Sequence, residues 1–170
     1  ETQPKAGVSE QFYTSHWSKN AEYRNEIKEQ IVNLLTPLAQ KVLTDYRSIY
    51  GHFMIKNPGA QSQYAVHQDW SLVDENVFTG ITIWIPLVDV TKTNGCLSIL
   101  RGSHRLCSNV RGSNIGTDLD INSFPESIYT PIEMKAGDAV FFHQRIFHLS
   151  GNNNSDKTRV AAGLVLIPNE

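Results

Sequence analysis

The chain is 170 residues long (19.1 kDa), a length that suits one domain around a single sizeable core. Fifteen Lys and Arg against 17 Asp and Glu leave a net charge of −2. No window gathers five or six like charges, so nothing draws the chain electrostatically to nucleic acid or an anionic membrane. With 40% hydrophobic and 19% charged residues the composition is globular, and no apolar run approaches the roughly 18–20 residues that cross a bilayer.

Cys96 and Cys107 are too few for a disulfide scaffold, and neither belongs to a CxxC pair, so idle or buried thiols are expected. The chain opens on Glu1 rather than Met, and a cytoplasmic location is the expectation.

From Tyr23 the apolar positions run Tyr23, Ile27, Ile31, Leu34, Leu35, Leu38, Val42 and Tyr46, steps of three and four that predict an amphipathic helix. Asn20 is its expected N-cap. Pro37 interrupts the stripe, and Thr36-Pro37 also reads as an N-cap followed by a first-turn proline, so one kinked helix or two abutting helices both satisfy the backbone. Texture changes near Ser48, which divides the single expected domain into a helical front, 1–47, and a β core, 48–170.

Strands are predicted at 49–56, 62–67, 78–88, 96–101, 128–134, 138–143, 145–149 and 158–167, with turn clusters such as Asn57-Pro58-Gly59, Thr93-Asn94-Gly95, Gly112-Ser113-Asn114 and Gly151 to Asn154 between them. Short strands without alternating helices argue for a sandwich, jelly roll or barrel with a helix over one sheet face. In 78–88, alternation sends Ile81, Ile83, Ile85 and Leu87 to one face and Thr82, Trp84 and Pro86 to the other, so one face packs and the other is free to line a cavity.

His67-Gln68-Asp69 sets a histidine and a carboxylate two residues apart at a strand end, where both side chains take the same face and can share one metal ion. Alone the pattern is weak. Its support comes well downstream, where Gly137-Asp138 feeds an apolar strand and the chain delivers His148, followed by Arg159. Two histidines and a carboxylate make the facial triad that suits non-haem Fe(II), because three protein ligands on one octahedral face leave three positions open. An arginine close behind supplies the planar fork that matches the far carboxylate of 2-oxoglutarate.

These residues, with Trp70, Trp84-Ile85-Pro86-Leu87, Thr93-Asn94-Gly95-Cys96-Leu97, Gly102-Ser103-His104-Arg105 and His148-Leu149-Ser150-Gly151, resemble the phytanoyl-CoA dioxygenase family of Fe(II)/2-oxoglutarate-dependent oxygenases. The resemblance spans about Gly51 to Pro168. It implies a double-stranded β-helix, a cupin-like jelly roll, with His67, Asp69 and His148 as iron ligands and Arg159 as the anchor of 2-oxoglutarate. It also places Ser150 and Trp84 along the co-substrate pocket. The implied reaction consumes 2-oxoglutarate and O2, releases succinate and CO2, and hydroxylates an aliphatic C–H of a small molecule. Related halogenases lack the carboxylate that Asp69 provides, which favours hydroxylation, desaturation or cyclisation over halogenation. The chain departs from the family in having Arg101 where proline is usual and in the few residues before His67, which points to a shorter substrate lid.

Competing readings stand beside this one. His143 rivals His148, and an unbroken strand would put the two on opposite faces. His104 suits an outer hydrogen bond or solvent, and Trp70 suits either packing or the cavity. Lys56, Arg101, Arg105 and Arg111 could meet the phosphates of a CoA thioester, yet scattered bases read more simply as solvated surface. A non-catalytic jelly-roll binding protein remains open, as does a cupin-type metalloenzyme without need of 2-oxoglutarate. Substrate choice is expected to lie in the helical front and in loops 70–80 and 106–127.

Overall fold

The computed structural model describes residues 11–112 and 124–169. Among the described residues, nine strands form two sheets: β1 (Phe12–Thr14), β2 (Tyr46–Lys56), β3 (Tyr64–His67), β4 (Ile81–Pro86), β5 (Leu97–Ile99), β6 (Thr130–Ile132), β7 (Val140–His143), β8 (His148–Ser150) and β9 (Arg159–Pro168), with one α-helix, α1 (Ala21–Ala39), after β1. The larger sheet runs β1-β2-β9-β4-β7 and the smaller β3-β8-β5-β6, with antiparallel neighbours throughout. This is the expected jelly roll with a helix on one face.

Alternation builds two cores on the two faces of the larger sheet. Outward, Ile83, Leu164 and Leu166 pack under Ile31 and Ala39 of α1, joined by Phe53, Ile81 and Ile85. Inward, Trp84, Phe142 and Ala161 meet Val90, Cys96, Leu97 and Ile146. The face assignment of Ile81, Ile83 and Ile85 against Trp84 therefore holds. Leu87 lies beyond the end of β4 and is 46% exposed. The helix sits so close to β2 that a Cβ on Gly51 would stand 2.6 Å from Ile31 Cγ2, and only glycine allows that approach.

Asn20 caps α1 by accepting from the Tyr23 N–H. The helix stops at Ala39, short of the expected Tyr46, and Pro37 lies within its last turn, where it has no N–H to give to Asn33 O. The buried stripe is Ile27, Ile31, Leu35 and Ala39, whereas Leu34, Leu38 and Val42 face outward. Tyr46 instead opens β2, three residues ahead of the predicted start. A β-bulge between Ser48 and Tyr50 breaks the period of two there and hides the strand's first turn of pairing from the sequence. β1, only three residues long, was not expected in a helical front.

The predicted strand 145–149 is displaced. The chain turns at Gln144 to Ile146, so β7 and β8 belong to different sheets and the parity argument between His143 and His148 does not apply. Of the turn expected at Gly112-Ser113-Asn114, Ser113 and Asn114 lie outside the described residues, as does much of loop 106–127. No helix among the described residues is long and apolar enough to cross a membrane.

Candidate metal centre

His67 ends β3 and His148 begins β8, and the two are direct cross-strand partners. Their rings lie 4.1 Å apart between centroids. Asp69, just past β3, is placed by three contacts. Its N–H donates to Gln144 O at 3.0 Å, its carbonyl accepts from Arg111 Nε at 2.8 Å, and its Oδ2 accepts from Thr82 Oγ1 at 2.6 Å. That last bond reaches across from the larger sheet and turns the other oxygen, Oδ1, toward the histidines. Oδ1 stands 3.9 Å from His67 Nε2 and 3.7 Å from His148 Nε2. The three donor atoms all lie within 4.8 Å of one another.

Each imidazole Nδ1 contacts a backbone carbonyl two residues before it: Ala65 O at 2.8 Å for His67, Ile146 O at 2.9 Å for His148. A carbonyl only accepts, so Nδ1 carries the proton and Nε2 presents its lone pair inward. Burial and the neighbouring His148 hold His67 well below the ordinary histidine range, to about 3, which keeps its ring neutral. The His148 side chain is 7% exposed, but those of His67 and Asp69 are 26% and 27% exposed, so the cluster opens on one side only. Two imidazole Nε2 atoms and one carboxylate oxygen on a single face could hold a ferrous ion with positions to spare. A closed zinc shell would ask for a fourth protein donor.

Behind the cluster, the inner face of β9 carries Arg159, 2% exposed, with its guanidinium carbon 5.6 Å from the Trp84 ring centroid. Its Nε has no hydrogen-bond partner among the described residues, and Nη1 makes one long contact, 3.5 Å to Met54 O. A buried fork of donors left this empty is matched to an anionic ligand. Ser150 is buried two residues beyond His148.

The remaining candidates disperse. His143 accepts from Arg145 N–H through Nδ1 at 3.0 Å and stacks with His104 at 5.6 Å, away from the His67, Asp69 and His148 donor group. Trp70 is 54% exposed. Arg101 and Arg105 are exposed as expected of surface bases, but Lys56 and Arg111 are buried, which corrects their assignment to solvated surface. Arg111 pairs with Glu75 at 2.7 Å, and both side chains are about nineteen-twentieths enclosed. The pair eluded the sequence reading because its partners lie on two separate loops.

Residues 6–161 match the phytanoyl-CoA dioxygenase (PhyH) family. The chain belongs to the phytanoyl-CoA dioxygenase family. A phytanoyl-CoA dioxygenase of Arabidopsis thaliana is 34% identical over 122 residues, 69% of this chain and 43% of that protein. The chain thus spans less than half the length of this family member. Among solved structures, the non-haem alpha ketoglutarate dependent carbocyclase SnoK from nogalamycin biosynthesis is 25% identical. It superposes with a TM-score of 0.59 over 95% of this chain and 67% of its own. The epimerase SnoN, solved with Fe3+, alpha ketoglutarate and nogalamycin RO, is 23% identical with a TM-score of 0.62, covering 92% of this chain and 62% of its own. Within the jelly roll, the motifs at His67-Gln68-Asp69 and at His148 through Arg159 fall on and just after the paired strands β3 and β8 of the smaller sheet and on β9.

Proposed function

We propose that the protein is an Fe(II)/2-oxoglutarate-dependent dioxygenase that hydroxylates an aliphatic C–H of a small molecule. The observation that carries this reading is the convergence of His67, Asp69 and His148 on one point, in the same barrel as the buried guanidinium of Arg159, whose Nε has no hydrogen-bond partner among the described residues. His67 Nε2, Asp69 Oδ1 and His148 Nε2 would hold the metal. Arg159 would take the far carboxylate of 2-oxoglutarate, with Ser150 and Trp84 along its length. When bound, the iron and 2-oxoglutarate supply the oxygen activation and C–H oxidation, with succinate and CO2 released.

The chain's own residues supply aim and shelter. Thr82 holds Asp69 in its ligating pose, and the two backbone carbonyls fix each ring with Nδ1–H outward and Nε2 toward the cluster. Trp84 and the inner core keep water away from the co-substrate end. The open side, flanked by His67 and Asp69, faces substrate. Loop residues Trp70, Leu72, Val77, Leu106 and Val110 carry exposed apolar side chains, and the two loops meet through the Ser71 N–H bond to Arg111 O. Exposed apolar side chains on the loop that follows Asp69 suit a small molecule with hydrocarbon character. Asp69 standing within reach of both histidines supports oxygen transfer over halogenation.

The test is succinate formation. With Fe(II), O2 and a panel of small hydrophobic acids and natural-product intermediates, the protein is expected to release succinate only when iron and 2-oxoglutarate are both present. Product would gain one oxygen atom. Turnover without 2-oxoglutarate would favour the cupin-type alternative. Ligand binding with no succinate from any mixture would favour a non-catalytic module.

A further inference from the structure

Arg159 is one cation in the co-substrate pocket, yet the barrel buries two. Lys56 and Arg159 are direct partners in the β2/β9 ladder, so both side chains leave the same inner face. They are 0% and 2% exposed. Among the described residues no carboxylate pairs with either. Enclosed charge without a counter-ion is costly, and a second like charge beside it adds to the cost. Among the described residues, Arg159 from β9, the Cys96 thiol ahead of β5, the Phe12 ring of β1 at 5.5 Å and the backbone of β8 stand around the Lys56 ammonium, none of them a carboxylate.

Lys56 Nζ donates to Ser150 O at 2.8 Å and to Gly151 O at 2.5 Å, which leaves one N–H of the charged amine for another acceptor. Those carbonyls belong to the segment that lines the co-substrate end of the barrel. Gly95 guards this contact. Its φ is +77°, and a Cβ there would stand 2.5 Å from Gly151 O. Burial, and then Arg159, lower the amine to about 6, a condition that an incoming anion reverses.

We propose that Lys56 is a second cation of the co-substrate seat, gripping the remote carboxylate together with Arg159 and selecting a 2-oxo dicarboxylic acid over a 2-oxo monocarboxylic acid. This rests on the 2-oxoglutarate reading above. The experiment is calorimetric binding of 2-oxoglutarate and of 2-oxovalerate, which has the same carbon chain without the far carboxylate, to protein loaded with Mn(II) in place of iron. In Lys56→Met, 2-oxoglutarate affinity is expected to fall roughly 10- to 100-fold, the loss of one charge-assisted hydrogen bond, while 2-oxovalerate affinity stays within about twofold. Lys56→Gln keeps an N–H for the Ser150 carbonyl and is expected to show the same ligand-selective loss. Unchanged 2-oxoglutarate binding would overturn the proposal. So would a parallel loss of both ligands, or failure of both variants to fold, since either makes Lys56 a clamp on β8. If the metal-loaded wild type binds no 2-oxoglutarate at all, the parent reading fails, and the Lys56 assignment falls with it.

Discussion

Replacing His148 by alanine is expected to abolish metal binding and all 2-oxoglutarate-dependent succinate formation while the jelly roll stays folded. His148 is the most enclosed of the three donors and the cross-strand partner of His67, so its removal deletes one ligand and loosens the ring packed on the second. Loss of a supporting contact to a metal ligand typically costs about 10- to 100-fold in metal affinity, and loss of the ligand itself should exceed that. Calorimetric titration with Mn(II) beside wild type measures it. A His148→Ala protein that binds metal within about tenfold of wild type would mean that the triad is not the centre.

The second large effect is expected at Arg111, which touches no donor atom. Its guanidinium binds Glu75 Oε1 at 2.7 Å, Asp69 O at 2.8 Å and Asn109 O at 3.0 Å, and its N–H bonds to Ser71 Oγ at 3.1 Å. Ser71 Oγ in turn donates to Glu75 Oε2 at 3.1 Å. One arginine therefore ties the segment 69–75, which begins with a candidate metal donor, to the segment 109–111 of the second loop. In Arg111→Met the Glu75 carboxylate is left enclosed without its partner, a change that costs about 3–5 kcal/mol in buried pairs. Urea unfolding should report that loss, and metal affinity should fall with it because Asp69 loses its backbone anchor. Arg111→Met combined with Glu75→Gln should recover much of the stability, since the stranded charge is gone. A single variant within about 1 kcal/mol of wild type would show that the pair does not hold this loop.

Much of the candidate centre was legible because its parts lie close in sequence or carry a periodic signal. His67 and Asp69 declare themselves by two-residue spacing at a strand end, and Trp84 declares its face by alternation with Ile83 and Ile85. His148 was harder, because the chain turns at Gln144 to Ile146 and a single continuous strand from 138 to 149 would have misplaced it. What stayed hidden depends on pairing between distant segments. Lys56 ends a strand in the string Phe53-Met54-Ile55-Lys56 and reads as a solvated terminus; only its register opposite Arg159 shows that it is enclosed. Arg111 and Glu75 sit on loops with no period at all. The front departs from its sequence pattern for local reasons. A three-residue β1 carries too little pattern to be seen, the bulge before Tyr50 erased the alternation of early β2, and the apolar Val42 and Tyr46 extended a helical rhythm past the true end of α1 at Ala39.

The most direct test of the central claim is an anaerobic absorption titration with Fe(II) and 2-oxoglutarate. A visible band is expected only when both are added, saturating at about one equivalent of iron, and His148→Ala should lack it. Folded wild-type protein that gives no band with saturating iron and 2-oxoglutarate, or a band that survives unchanged in His148→Ala, would contradict the account.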